Sequence, residues 1–449
     1  VGMLGQITTN ISAAGGDIGA IDIVSAGRNG MVRDITINAR DDSHAEILKK
    51  AVSSVEGVTI VNVSDQVFLR HLGGKIEMQS KAPIKTRNDM SLIYTPGVAR
   101  VSKAIHEQPE SVWNLTSKGN TVAIVTDGSA VLGLGDIGPA AALPVMEGKA
   151  QLLKELVGVD AWPIVLDTHD TTKIVDTIKL LSHGFGAINL EDISAPRCFE
   201  IEHRLHKELS IPVFHDDQHG TAIVVLAALY NAVKVVNKEL PDLKVVLVGV
   251  GAAGVATTKL LIKAGIKNII GVDRLGILDR QKDYGNNKVW KEYSKITNPH
   301  NISGQITEAV TGADVFIGLS GPGVLQIEDV SLMNTNPIIF AMANPDPEIW
   351  PEEVEGLVEV MATGRSDYPN QVNNALCFPG IFRGILDARA QKVTDGMKMA
   401  AAFAISRGVP ESHLNNEYIM PSIFDTDVAD QVAKNVKAAA IKSGVALKN

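Results

Sequence analysis

Two acidic pairs follow short apolar runs: Glu191-Asp192 comes directly after residues 187–190, and Asp216-Asp217 follows residues 211–214 with His215 between. Such runs read as strands, and in a parallel sheet the strand C-terminal ends open on one crevice. Carboxylates gathered there repel one another unless a divalent cation neutralises them, and all-oxygen ligation points to Mg2+ or Mn2+. Zinc fits less well. His215 and His219 flank the second pair, but no Cys or His partner stands at ligand spacing, so both histidines are read as structural. The plain alternative for either pair is a helix cap or a solvated loop. Lys149 follows Pro144-Val-Met-Glu-Gly148 and precedes a helical run at 150–157, which places it near a helix start. A desolvated or cation-adjacent lysine can act as a general base near neutral pH, whereas a lysine taken alone reads as a surface residue. Tyr94, beside the turn at Pro96-Gly97, can donate a proton, with a structural role as its default.

A second cluster offers different chemistry. Gly249-Val-Gly251-Ala252-Ala253-Gly254 lies between an apolar run at 244–248 and a helical run at 255–264, the context a dinucleotide fingerprint requires. The first two glycines permit a tight turn and close backbone approach, and the free N–H groups at the helix start attract a pyrophosphate. A further strand at 268–272 ends at Asp273, 19 positions after Gly254, close to the interval of about 20 for an acid that binds the adenosine ribose. A tight turn without a ligand is the alternative. Asp273 repels a 2′-phosphate and favours NAD. Arg274, with Arg280 or Lys282, can pair with that phosphate and keeps NADP open.

The order of motifs resembles the malic enzymes. The resemblance rests on Ser91-Leu-Ile-Tyr94-Thr-Pro-Gly-Val-Ala99, Asp127-Gly-Ser-Ala-Val-Leu-Gly-Leu-Gly135-Asp-Ile-Gly138, Glu147-Gly-Lys149, Asn189-Leu-Glu-Asp192 and Phe214-His-Asp-Asp217-Gln-His-Gly-Thr-Ala222. It continues through the glycine fingerprint, Ala343-Asn344-Pro345 and Val372-Asn-Asn374-Ala-Leu-Cys-Phe-Pro-Gly380. The resemblance implies Lys149 as general base, Tyr94 as general acid, Glu191, Asp192 and Asp217 as metal ligands, and Asp216 as support for the lysine. It further implies that Asn344 and Asn374 hold substrate, with Asn344 also at the cofactor. Many larger members carry an arginine where this chain has Ala130, so the substrate carboxylate needs another partner. The implied reaction is oxidative decarboxylation of L-malate to pyruvate and CO2. Lys149 would take the C2 hydroxyl proton as hydride passes to nicotinamide, and Tyr94 would protonate C3 after CO2 leaves. A malolactic enzyme, which retains the cofactor and yields lactate, has similar motifs. An amino-acid or tetrahydrofolate dehydrogenase shares the plan but gives the paired acids no metal to bind. A non-catalytic effector sensor is the alternative from another class.

The elements that must position these groups belong to an α/β protein with a doubly wound, Rossmann-type dinucleotide-binding domain. Four regions are expected: residues 1–75, a small regulatory unit; 76–220, the substrate and metal domain; 221–390, the NAD(P)-binding domain opening with a helix from Thr221; and 391–449, helices packing back on the catalytic domains. In the first region a helix at 5–14 is followed by strands at 18–24 and 31–39 turned at 27–30. A helix with a Ser43/Glu46 capping box and a strand at 58–63 complete it. This (β)αββαβ order, with its Gly2-Met-Leu-Gly5 turn, resembles an ACT domain, which implies a small-molecule effector. Because the chain opens on Val1 and runs at once into that turn, an upstream strand is expected to precede it.

Composition narrows the partners. The chain has 449 residues, with 42 Lys and Arg against 51 Asp and Glu for a net charge of −9, so no basic surplus favours nucleic acid. The longest apolar stretch, at 222–230, is half of what a membrane helix needs. Only Cys198 and Cys377 occur, which suits a reducing, cytoplasmic setting better than a disulfide framework. A homodimer or homotetramer is expected, as is an edge-to-edge pairing of the N-terminal units.

Overall fold

The computed structural model describes residues 2–27, 30–131 and 133–448. Val1, Arg28, Asn29, Leu132 and Asn449 lie outside them, so the turn expected at 27–30 falls partly outside the described residues. The chain divides into two compact units, Val1–Gly73 and Gly74–Asn449.

In the first unit, strands β1 (Asp17–Gly27) and β2 (Gly30–Asn38) pair antiparallel, closing at Gly27 opposite Gly30. Helices Met3–Ala13 and Asp42–Ser53 bury Ile7, Ile11 and Leu48 together with Val55, against Ile18, Ile35 and Ile37 of the strands. Two expectations fail here. The second helix is capped by Asp41, whose side chain accepts from the His44 N–H. Ser43 donates its hydroxyl to that carboxylate instead, because a charged acceptor satisfies a helix N-terminus better than a hydroxyl. Residues 58–63 form no strand; among the described residues no neighbouring strand pairs with them, and extended chain without a ladder partner leaves its backbone groups to solvent.

The second unit holds two sheets that are parallel throughout, except that the two-residue strand Gly276–Ile277 at the edge of the larger one runs antiparallel to its neighbour. In one, β3 (Thr121–Thr126), β4 (Asp160–Val165), β5 (Ala187–Leu190) and β6 (Val213–His215) lie in the order β4-β3-β5-β6. In the other, β7 (Lys244–Val248), β8 (Asn268–Asp273), β9 (Gly276–Ile277), β10 (Val315–Gly318), β11 (Ile338–Ala341) and β12 (Val360–Thr363) lie in the order β12-β11-β10-β7-β8-β9. Both are doubly wound. The order reverses between β3 and β5 in the first sheet and between β7 and β10 in the second, and such reversals open a crevice at the strand C-terminal ends.

The helix Asp216–Val235 runs from the end of β6 and is buried on nearly every side. Its Ala222–Leu229 run packs in one core with β3 and β7 residues, including Val122, Ile124, Val245 and Leu247, which explains an apolar run without an amphipathic stripe. The boundary expected at 220/221 therefore falls inside a helix. The C-terminal helices Phe378–Asp387, Asp395–Ser406 and Thr426–Lys442 join the same core through Phe382, Ile405 and Val432. Among the described residues no helix is long and apolar enough to cross a membrane.

Candidate active site

At the switch point of the smaller sheet, β5 delivers Glu191 and Asp192, and the first turn after β6 delivers Asp216 and Asp217. One oxygen from each of Glu191, Asp192 and Asp217 lies within 4.8 Å of the others. Asp192 adopts a left-handed backbone, φ 53°, which Asp tolerates better than most residues. That turn directs its N–H to Asp217 Oδ2 at 2.7 Å. Burial, and then the charge of Asp217, push Glu191 well above the usual carboxylate range and Asp192 to about 8. Asp192 Oδ2 is buried with no hydrogen-bond partner. A crowded set of oxygens with an unsatisfied buried acceptor is what a hard divalent cation would complete, so these residues fit Mg2+ or Mn2+.

Lys149 is not near a helix start. Its helix runs Pro139–Val157 and places the lysine past its middle. Pro139 at the first turn and the following alanines start the helix ahead of Pro144, which forfeits only one backbone bond. The side chain is buried, 2.6 Å from Glu191 Oε2 and hydrogen-bonded to Asp216, with its ammonium 4.5 Å above the Phe378 ring. Burial alone would favour the neutral amine. The charges of Asp216, Glu191 and Asp217 outweigh it and hold the group as an ammonium, well above the ordinary lysine range. These residues alone therefore do not poise the lysine near neutral pH.

Asn374 joins the cluster, its amide reaching Asp216 Oδ2 at 3.4 Å and Thr221 Oγ1 at 3.3 Å. Tyr94 does not. It caps the helix Arg87–Ile93, is 66% exposed, and its hydroxyl makes no hydrogen bond among the described residues. The two histidines are internal: His215 is fully buried, and His219 donates or accepts between Glu202 at 2.8 Å and Lys398 at 3.1 Å.

Several contributors escaped sequence reasoning. Asn189 directs its amide to Glu191 Oε2 at 3.1 Å; it stood within a quoted motif but carried no charge to mark it. Arg197 bonds Asp127 at 2.7 Å and Ser129 at 3.0 Å, tying the end of β3 to the loop after Asp192. Nothing in their spacing signalled the pair.

The glycine cluster stands at the other switch point. Gly249 has φ 95°, and a Cβ there would lie 2.3 Å from the Leu319 carbonyl, so only glycine fits. Gly251 caps the helix Ala252–Lys263, which therefore starts earlier than expected; no side chain bonds the cap, and Gly251 faces open space. Ala252, Ala253 and Gly254 form its first turn, leaving free N–H donors for a pyrophosphate. A cavity of about 340 Å³ beside it is lined by Gly249, Asp273, Arg274, Ser320 and others, a fit for the adenosine half of a dinucleotide. Asp273 accepts from the Val250 N–H at 2.7 Å and the Arg274 N–H at 2.8 Å, which fixes its carboxylate at the glycine loop. Arg274 turns its guanidinium onto Trp290, 5.3 Å from the ring centre. Replacing Asp273 by serine should remove the repulsion toward a 2′-phosphate while the arginine stays, moving the kcat/KM ratio toward NADP. An unchanged ratio would show that Asp273 does not face the ribose.

Asn344 lies in the loop after β11. Its backbone oxygen would sit 2.8 Å from a Cβ on Gly133, and its amide 3.0 Å from one on Gly364. It thus meets the 127–138 segment that follows β3, and the two crevices face each other.

Known proteins share this arrangement. Residues 73–206 match the family described as malic enzyme, N-terminal domain, and residues 218–441 match malic enzyme, NAD binding domain. The chain is 58% identical over 444 residues to an NAD-dependent malic enzyme of Geobacillus stearothermophilus, covering 99% of this chain and 93% of that one. It is 54% identical over 374 residues to a bifunctional malic/malolactic enzyme of Bacillus subtilis, covering 83% and 91%. The crystal structure of an NAD-dependent malic enzyme from Thermotoga maritima aligns with a TM-score of 0.81 at 47% identity, over 84% of this chain and 99% of that one. The likeness extends through both crevices and nearly the whole sequence, and on that ground the chain belongs to the malic enzyme family.

Proposed function

We propose that the oxidative decarboxylation of malate to pyruvate and CO2 by this enzyme, with reduction of NAD or NADP, is carried out at the carboxylate–lysine cluster. The observation that carries the assignment is Lys149, buried and gripped by Glu191 and Asp216 next to three carboxylates within reach of one cation. A divalent cation held there by Glu191, Asp192 and Asp217 would supply Lewis acidity and offset the negative field that keeps Lys149 protonated, and a dinucleotide at the glycine loop would supply the acceptor for the C2 hydride. Lys149 takes the proton of the C2 hydroxyl, and Asp216 holds its amine in place. Asn344 and Asn374 orient the substrate. After CO2 departs, Tyr94 gives a proton to C3 of the enolate, completing pyruvate. The regions follow the assignment: the smaller sheet and the start of the helix Asp216–Val235 bind metal and, with Asn344 and Asn374, substrate; the larger sheet binds the dinucleotide; and 391–449 brace both. Malate turnover by the Lys149 and Asp217 variants tests it, as set out below.

Tyr94 can serve only if its hydroxyl is enclosed. It sits on a run of helices, Arg87–Ile93 and Gly97–Glu107, that bury no residue and expose Met90, Leu92, Ile93 and Val98. Apolar surface of that extent marks an interface, which supports a homodimer or homotetramer. Two free, buried cysteines support a cytoplasmic setting. The first unit is read as an ACT-type regulatory domain, because its separate core and open sheet edge suit a small effector and a second copy. Deleting residues 1–73 should leave malate turnover intact and abolish the response to any effector. A truncated enzyme with an unchanged effector midpoint and amplitude would contradict this assignment.

The malolactic outcome is the second reading, favoured by identity to a relative named for both activities. It differs in one observable: lactate forms and no net NADH is released.

A further inference from the structure

Glu348 is a carboxylate with no exposure at all, and among the described residues its oxygens meet N–H and hydroxyl donors and no cation. It lies four residues beyond Asn344, in the loop between β11 and β12. Its two oxygens serve two different loops. Oε1 accepts from the Ser320 N–H at 2.9 Å, with the Ser320 hydroxyl at 3.4 Å, and Oε2 accepts from the Ala343 N–H at 3.0 Å. The main chain reinforces the link, since the Glu348 carbonyl accepts from the Leu325 N–H at 3.1 Å. Space is kept for the side chain at Gly318, where a Cβ would lie 2.3 Å from its carboxyl carbon.

Each loop joined in this way faces a functional group. The loop after β10 presses the Leu319 carbonyl against Gly249 and lends Ser320 and Val324 to the dinucleotide cavity. The loop after β11 carries Ala343 and Asn344, and the Asn344 backbone oxygen abuts Gly133 of the other crevice. A buried charge is costly to keep without a cation, and an apolar side chain would fill the same volume. Both carboxylate oxygens are spent on backbone donors of two loops, and among the described residues those donors have no other acceptor.

We propose that Glu348 is a positioning residue that locks the cofactor-lining loop at 319–324 to the loop carrying Asn344, so that dinucleotide and substrate are presented in one register. The inference rests on the reading of Asn344 as a substrate and cofactor group. Glu348→Gln preserves volume but sets an amide N–H against one backbone N–H, and so breaks one of the two links. Glu348→Asp keeps the charge but is one methylene too short to reach both loops, and serves if the glutamine variant does not fold.

The experiment is a double-mutant cycle on the full chain, combining Glu348→Gln with Asn344→Ala. It reads kcat, KM for malate and NAD, and Mn2+ affinity. Glu348→Gln is expected to lower kcat/KM by about 10-fold or more with Mn2+ affinity within twofold, since the carboxylate trio belongs to the other sheet. The double variant should lose little beyond Asn344→Ala, the non-additivity of residues acting as one unit. Additive losses, wild-type kinetics in the glutamine or aspartate variant, or a parallel loss of Mn2+ affinity would overturn the proposal. Should Asn344→Ala alone leave turnover unchanged, the fault lies with the reading of Asn344.

Discussion

Lys149→Ala is expected to lower kcat by about 10²- to 10⁴-fold, the scale for losing a positioned acid or base, with NAD affinity held. The lysine lies on the smaller-sheet side of the crevice, away from the glycine loop that binds the dinucleotide, so the loss should appear in kcat. Truncation also leaves Glu191 and the fully buried Asp216 without their cation, and some loss of thermal stability should accompany it. Lys149→Arg separates the two effects. An arginine keeps the positive charge beside both carboxylates but does not give up its proton, so stability should return while kcat stays low. Recovery of kcat by arginine would mean that Lys149 supplies charge and does not act as the base.

Asp217→Ala should weaken Mn2+ binding by at least the 10- to 100-fold that loss of an outer-sphere partner costs, and turnover should fall with it. Asp217 is the most exposed of the three acids and contributes little to packing, so the melting temperature should change far less than the metal affinity. After burial, its charge is what raises the Glu191 and Asp192 carboxyls most. Its removal should ease their ionisation without restoring the third ligand. Unchanged Mn2+ affinity by titration would remove Asp217 from the ligand set.

The acid trio was legible in the sequence because two short apolar runs each stopped at a pair of acids, and strand ends are where an α/β sheet concentrates its chemistry. The dinucleotide site was legible for a similar reason: glycines that the backbone demands at Gly249 and Gly254 stand at fixed distances from a strand and from Asp273. Local pattern served less well where tertiary packing decides. The helical run at 150–157 placed Lys149 near a helix start, yet the helix begins at Pro139 and carries Pro144 inside it, because neighbouring alanines and burial outweigh one missing bond. Residues 58–63 have strand composition, but a strand exists only against a partner. A domain boundary was expected at 220/221 with a helix opening at Thr221, whereas the helix begins at Asp216 and runs through Gly220, where a Cβ would collide with the Asp216 side chain. Glu348 left no trace in the sequence. Its meaning lies in two loops brought together by β10 and β11, and no spacing along the chain encodes that. Tyr94 is the converse case: a motif marks it, and its surroundings within one chain do not enclose it.

The central claim is that a cation held by Glu191, Asp192 and Asp217 directs Lys149 and a dinucleotide to oxidise and decarboxylate malate. It is tested most directly by following malate consumption with NAD and Mn2+, quantifying NADH, pyruvate and lactate together, before and after a chelator is added. One NADH and one pyruvate are expected for each malate consumed, with no lactate, and chelation should arrest turnover until Mn2+ is added back. Turnover that survives the chelator, or lactate formed without NADH, would contradict it.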